Sequence, residues 1–384
     1  MPSAPRSGAT PGGRAVAPSA GSLATVFHRH PERRYVMFGG KGGLGKTTFS
    51  AATAFWLAQQ GKRVLVFSVD PQASLSDIFQ RDIFGQGPVK IMDNLWAQEI
   101  DADRHIREYQ DEIRKKILDM YGLEEVPAEI EDYIQAASAE PAMEESAIFD
   151  SVVDIVVQGD YDFYIYDLVP LGHALYYLSM AKVYDEWISK ITRLREEMRE
   201  YEEVAARMKR QKEVDEDQIL GELQYIRGRI NAASRILTDR EKTAFFFVLV
   251  PEQMILLDTR KAAEMFAKFD VPIGGYVVNR VLPEELRGQN VPGYLRNRME
   301  MQRGELDEIR RTFGKDVLAY VPEFERDVTG LPMIERVAGI LFADGADSAD
   351  SAGGGTGAGA DTRAAASSRA ATAAGTTGGS EAAR

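Results

Sequence analysis

The densest chemistry in the chain lies in the stretch Gly39 to Thr48, GGKGGLGKTT, in which Gly40 to Thr47 spells G-x-x-x-x-G-K-T. Gly40, Gly42, Gly43 and Gly45, with Leu44 between them, let successive backbone N–H groups turn inward around a phosphate. The helix that opens at Lys46, Thr47 and Thr48 adds its unpaired N–H groups and its positive dipole end. Lys46 would reach β- and γ-phosphate oxygens, and the Thr47 hydroxyl is a ligand for Mg²⁺. That set of groups handles a nucleoside triphosphate. A carboxylate at Asp70, ending the run RVLVFSVD, stands where it would orient an attacking water; its plain alternative is a strand-end turn before Pro71. Lys41, just after the first motif glycine, is either a second functional cation or a solvated loop lysine.

These groups need a frame. RYVMF (Arg34 to Phe38) is a short apolar run that stops at the glycines, and Thr47 to Gln60 is helical in composition with Gly61 ending it. Further strands are expected at Arg63 to Asp70, Leu95 to Ile100, Tyr161 to Asp167, Thr243 to Val250, Gly275 to Asn279 and Val317 to Val321. Helical stretches between them predict an α/β fold, a doubly wound and mostly parallel sheet. Residues 103–160 and 179–242 carry helical character without that alternation. Ile188, Ile191, Leu194, Met198, Tyr201, Ala205 and Met208 recur at spacings of three and four, a seam for helix packing. An inserted helical subdomain is expected there.

Composition bounds the rest. Residues 1–31 and 343–384 are rich in Ala, Gly, Ser, Thr and Pro, and are expected to be disordered tails around a body at 32–342. The balance of 46 Lys+Arg against 59 Asp+Glu gives a net charge of −13, which disfavours nucleic acid as a partner. The chain has no cysteine, which removes thiolate metal sites, iron–sulfur clusters and cysteine nucleophiles. No apolar run reaches membrane-spanning length and no signal-peptide core is present, so a soluble, cytoplasmic protein is expected.

With Lys41, the loop GKGGLGKT resembles the deviant Walker A signature of the ArsA, ParA/MinD and nitrogenase-iron-protein group, within the SIMIBI class of P-loop NTPases. VDPQASLSD (Val69 to Asp77) resembles the ArsA first switch, with Gln72 and Ala73 departing from it. YDFYIYDLVPLGHALYYL is similar to the second switch, with Pro170, Gly172 and His173 matching and Leu168, Leu171 and Tyr176 not. The segment ending in NRVLP, and VPEFERDVTGL (Val321 to Leu331), are similar to the ArsA base-binding segments. This resemblance implies that Lys41 acts on the nucleotide of a partner copy and that Asp167 holds Mg²⁺. It also implies that Asn279 and the Pro322 backbone contact adenine, and that Glu252 couples an interface or switch, unless it only starts a helix.

The resemblance therefore implies an ATPase that binds ATP and Mg²⁺ as a nucleotide-gated homodimer, driving its helical subdomain toward a protein client or membrane partner. The family includes arsenite-pump ATPases and ATPases that target tail-anchored membrane proteins. Without cysteine, thiolate activation by arsenite is excluded, and so is the C-x-x-C zinc site of the eukaryotic targeting enzymes, whose place is taken by VPGYLRN (Val291 to Asn297). Their Met-rich element corresponds to the charged ARMKRQKEVDED, Ala206 to Asp217. A ParA/MinD-like positioning ATPase, favoured by Asp-Pro-Gln, and a nucleotide-gated scaffold with incidental turnover are the alternatives.

Overall fold

The computed structural model describes residues 22–69, 74–138, 151–156, 159–168, 186, 188–194 and 218–343. Asp70 to Ala73, Pro170 to Tyr176 and the charged segment at 206–217 lie outside the described residues, as do 1–21 and 344–384.

Eight strands form one sheet: β1 (Tyr35–Gly39), β2 (Val64–Ser68), β3 (Val89–Met92), β4 (Leu95–Glu99), β5 (Phe163–Asp167), β6 (Thr243–Leu249), β7 (Ile273–Val281) and β8 (Val317–Pro322). Their order is β3-β4-β2-β5-β1-β6-β7-β8. Every neighbouring pair is parallel except β3 with β4. The expectation of a doubly wound, mostly parallel sheet is met. β3 is the strand the apolar runs do not announce: it is four residues long, carries Lys90, and returns antiparallel on β4 through Asn94, whose φ is 64°.

The central strands are apolar along their whole length because both faces are covered, so no in–out alternation develops. In β6, all seven residues are buried, Phe245, Phe246 and Phe247 completely; each such ring contributes roughly 2–3 kcal/mol by leaving water. Helix α2 (Lys46–Gln59) runs back beneath the sheet, with Ala51, Ala52 and Ala54 letting it lie close. The final helix α9 (Gly330–Leu341) packs beside it, and just beyond α9 the Phe342 ring stacks on Trp56 at 4.1 Å and 4°.

Helix α1 (Leu23–Arg29) corrects part of the expected N-terminal tail. Its Leu23, Ala24 and Phe27 are buried, and the Phe27 ring meets Trp56, Phe163 and Phe342 at 5.9–6.2 Å. Ser22 caps it, its Oγ accepting from the Ala24 N–H at 3.1 Å. Average composition hides a single buried turn of apolar residues, which is enough to dock a short helix.

After α3 (Ser74–Phe79) and the β3–β4 hairpin come α4 (Ala102–Tyr121) and α5 (Ala128–Ser138). Arg114 ties these two together through Glu131, 2.7 Å away. Residues 151–156 and 188–194 are helical, as is α6 (Gln218–Thr238), which leads into β6. Of the seam residues, Ile188 is buried and Leu194 exposed, while Met198 to Met208 lie outside the described residues. Helices α7 (Gln253–Lys268) and α8 (Gly293–Phe313) complete the β6–β7 and β7–β8 crossovers.

Candidate nucleotide site

From β1 the chain crosses toward β2 on the β5 side, and from its neighbour β6 it crosses toward β7 on the other, so connections leave these adjacent ends in opposite directions. In open parallel sheets that reversal leaves a crevice at the carboxyl ends of the strands. The loop Gly40 to Gly45 fills this position between β1 and α2. Two glycines are sterically required there. A Cβ on Gly40, whose φ is 155°, would sit 2.5 Å from the Val248 carbonyl oxygen. A Cβ on Gly45, φ 98°, would sit 2.6 Å from Asn279 Nδ2. Gly45 is also the N-cap of α2 and brings no side chain to its first N–H groups, which face the crevice unblocked.

Asp167 ends β5 directly beside the loop, paired in register with Phe38 on one side and Ser68 on the other. It is buried, and Thr47 donates its hydroxyl proton to Asp167 Oδ2 at 2.6 Å. Ser50, one turn further along α2, donates to Oδ1 at 3.4 Å, and the Ser68 hydroxyl to the Asp167 carbonyl at 3.5 Å. Ser50 is the residue the i, i+3 spacing from Thr47 could have exposed.

Lys46 Nζ reaches back to the Lys41 carbonyl at 3.3 Å. The Lys41 ammonium lies 3.5 Å from Asp258 Oδ2 on α7, and both side chains are half exposed. Asn279 and Pro322 come together on the adjoining ends of β7 and β8, where Val281 pairs with Pro322 and the Glu323 N–H donates to the Val281 carbonyl at 2.9 Å. Asn279 Nδ2 donates to the Leu44 carbonyl at 2.8 Å and its Oδ1 accepts from the Arg280 N–H at 2.9 Å. Each amide end has hydrogen-bonding capacity left for a base edge. Beyond Pro322, Arg336 lies over the Phe324 ring at 4.8 Å and pairs with Glu325 at 2.8 Å, holding that carboxyl below the usual range.

Glu252 starts α7 and pairs with Arg298 of α8 at 3.0 Å. A residue that pattern reading passes over is Glu99. It is buried at the end of β4, where its carboxylate accepts from the Leu75 N–H and the Ser76 hydroxyl. It thereby fixes the start of α3, inside the segment Val69 to Asp77 that resembles the first switch. No local signal marks it, because its partners lie about 24 residues away across the sheet.

The anion-transporting ATPase family model matches residues 33–343, the sheet and all the site residues named above. The chain belongs to the ArsA ATPase family. Relatives within it include a protein of Aquifex aeolicus named as an arsenical pump-driving ATPase, 30% identical over 310 residues, covering 80% of this chain and 99% of that one. ATPase GET3C of Arabidopsis thaliana is 31% identical over 268 residues, 66% of this chain and 68% of its own. An ASNA1 homologue of Paramecium tetraurelia is 27% identical over 322 residues, 81% and 94% of the two chains. This ArsA-family chain is an ATP-hydrolysing P-loop enzyme.

Among the described residues no group of three or more His, Cys, Asp or Glu stands ready to hold a metal by itself. The Thr47 hydroxyl and Asp167 carboxylate are hard oxygen donors 2.6 Å apart, and that donor set suits Mg²⁺, which takes one or two protein oxygens and completes its shell with phosphate and water. Among the described residues no helix is long and apolar enough to cross a membrane.

Proposed function

We propose that this ArsA-family enzyme hydrolyses ATP with Mg²⁺ as a homodimer that closes around nucleotide. Thr47 and Asp167 hold the metal, which neutralises phosphate charge when bound. Lys46 contacts the β- and γ-phosphates, Asp70 orients water, and Asn279 with the Pro322 backbone receives adenine. Lys41 lends its charge to the nucleotide of the second copy. A cation directed at charge developing on the transferred phosphoryl group is the kind of group that accelerates such reactions most.

The observation that carries this reading is the position of Lys41. Its side chain is 53% exposed and its ammonium pairs with Asp258 of α7 at 3.5 Å, whereas Lys46 folds back on the loop with its Nζ 3.3 Å from the Lys41 carbonyl. Beside Asp258 on the same face of α7, Met254 is 67% and Leu257 50% exposed. Exposed apolar side chains next to an exposed lysine suit burial against another protein surface. Closure would be transmitted to the helical subdomain, of which α4, α5 and α6 are described, and from it to a client. A transport-energising role fits the name of the Aquifex relative, and a membrane-protein-targeting role fits the family resemblance.

The test compares ATP turnover and ATP-dependent association of the wild type with Lys41→Ala, Lys46→Ala and Asp70→Asn. Lys46→Ala should lose binding, whereas Lys41→Ala and Asp70→Asn should bind ATP and turn over slowly, with Asp70→Asn trapped as a dimer. Equal turnover in all four proteins would end the reading.

A further inference from the structure

We infer that Arg280 is a positioning residue of the phosphate cradle, set in place by Gln302. The inference rests on the reading that Gly40 to Thr47 binds the phosphates. It starts from an irregularity in β7. Val278 pairs with Tyr320 and Val281 with Pro322, so Asn279 and Arg280 together face the single residue Val321. That is a β-bulge, the device that re-aims side chains next to functional sites. Arg280 has φ 54°, a left-handed conformation that non-glycine residues avoid.

The bulge has a consequence for direction. Successive side chains along a regular strand point to opposite faces. Here both reach the same loop: Asn279 Nδ2 donates to the Leu44 carbonyl at 2.8 Å and Arg280 Nη2 to the Gly43 carbonyl at 2.7 Å. A trans peptide is planar, with its C=O and N–H pointing opposite ways. Holding the Gly43 carbonyl outward therefore turns the Leu44 N–H inward, and holding the Leu44 carbonyl turns the Gly45 N–H inward. These two N–H groups belong to the cradle. Without outer partners, the glycine-rich peptides on either side of Leu44 would be free to flip.

Gln302 of α8 supports the bulge. It is buried, its Nε2 donates to the Arg280 carbonyl at 2.9 Å, and its Oε1 accepts from the Leu282 N–H at 2.7 Å. Its side-chain amide thus takes the place of ladder hydrogen bonds interrupted by the extra residue. Arg280 is strained, pinned and aimed, and it touches the loop only through a carbonyl on the side away from the phosphates.

Arg280→Gly separates function from folding, because glycine adopts the left-handed conformation without strain and the variant should melt no lower than the wild type. It should bind ADP and inorganic tripolyphosphate equally more weakly, by roughly tenfold or more, as expected for losing a charged hydrogen bond. Arg280→Lys, which keeps a cationic donor, should recover part of both affinities. Gln302→Glu should weaken both ligands in the wild type and add little in the Arg280→Gly background, since it acts through Arg280. Unchanged tripolyphosphate affinity in Arg280→Gly overturns the inference, whether or not ADP binding falls, because a loss confined to ADP would belong to the base pocket. A wild type that binds neither ligand would instead sink the phosphate-loop reading itself.

Discussion

Lys41 of the phosphate loop and Asp258 of α7 form an ion pair at 3.5 Å within one chain, and both side chains are half open to solvent. In the proposed dimer Lys41 must leave this partner to reach the second copy's nucleotide. Exposed pairs contribute only about 0–1 kcal/mol. One such pair opens in each copy, so Asp258→Asn should favour ATP-dependent association by at most about fivefold per copy, or about thirtyfold in the dimer constant, read by analytical ultracentrifugation. Raising salt should narrow the gap between variant and wild type, because screening weakens the pair. No difference at low salt would remove Asp258 from the closing equilibrium.

Thr47 and Asp167 form the next test. Thr47→Val keeps the shape of the side chain but removes the hydroxyl that donates to Asp167 at 2.6 Å. Turnover should fall by about 10²-fold or more, equivalent to ~3 kcal/mol at the transition state. Thr47→Ser should retain most of the activity. Assays across a Mg²⁺ titration should show a raised requirement in the valine variant only.

Glu99 bears on stability and on the first switch. Glu99→Ala would leave the Leu75 N–H and the Ser76 hydroxyl without their acceptor in a buried place. The expected cost is about 2–4 kcal/mol, since two polar groups lose their partner and the site is closed to water. Glu99→Gln keeps the shape and one acceptor and should cost less. Urea denaturation provides the comparison, and equal midpoints for all three proteins would show that the α3 anchor is unimportant.

Tyr276 predicts an alkaline loss of stability. Burial against Phe247 and Phe313, helped by the nearby negative charge of Asp316, pushes its phenol up to about 12. An unfolded tyrosine ionises near 10, so between about 10 and about 12 the unfolded chain holds fewer protons than the folded one. Stability therefore falls as pH rises through that window, by up to about 3 kcal/mol for this group. Tyr276→Phe should make the slope of unfolding free energy against pH shallower above about pH 10. Tyr35, Tyr161 and Tyr320 are shifted the same way by burial, so part of the slope should remain.

Much of the architecture is legible along the chain because burial on both faces leaves a plain mark. β1, β2, β5 and β6 are apolar runs, and seven of the eight strands can be read from them. β3 escapes because an edge strand of four residues with Lys90 has no such mark. α1 escapes because its three buried residues sit inside a stretch whose average is polar and small.

The sequence by itself determined the loop Gly40 to Thr47, because its residue types, spacing and flanking elements are all local and a side chain at Gly40 or Gly45 would clash. It also determined what is chemically absent, through the lack of cysteine. Only the tertiary structure decided which distant groups hold that loop. Asn279 is 235 residues from Leu44 and Asp258 is 217 from Lys41. The register of β7 on β8, the bulge it contains and the packing of α8 bring such groups within hydrogen-bonding reach. No residue-level pattern encodes those contacts, because they depend on how strands pair across the sheet and not on what lies beside them in the chain.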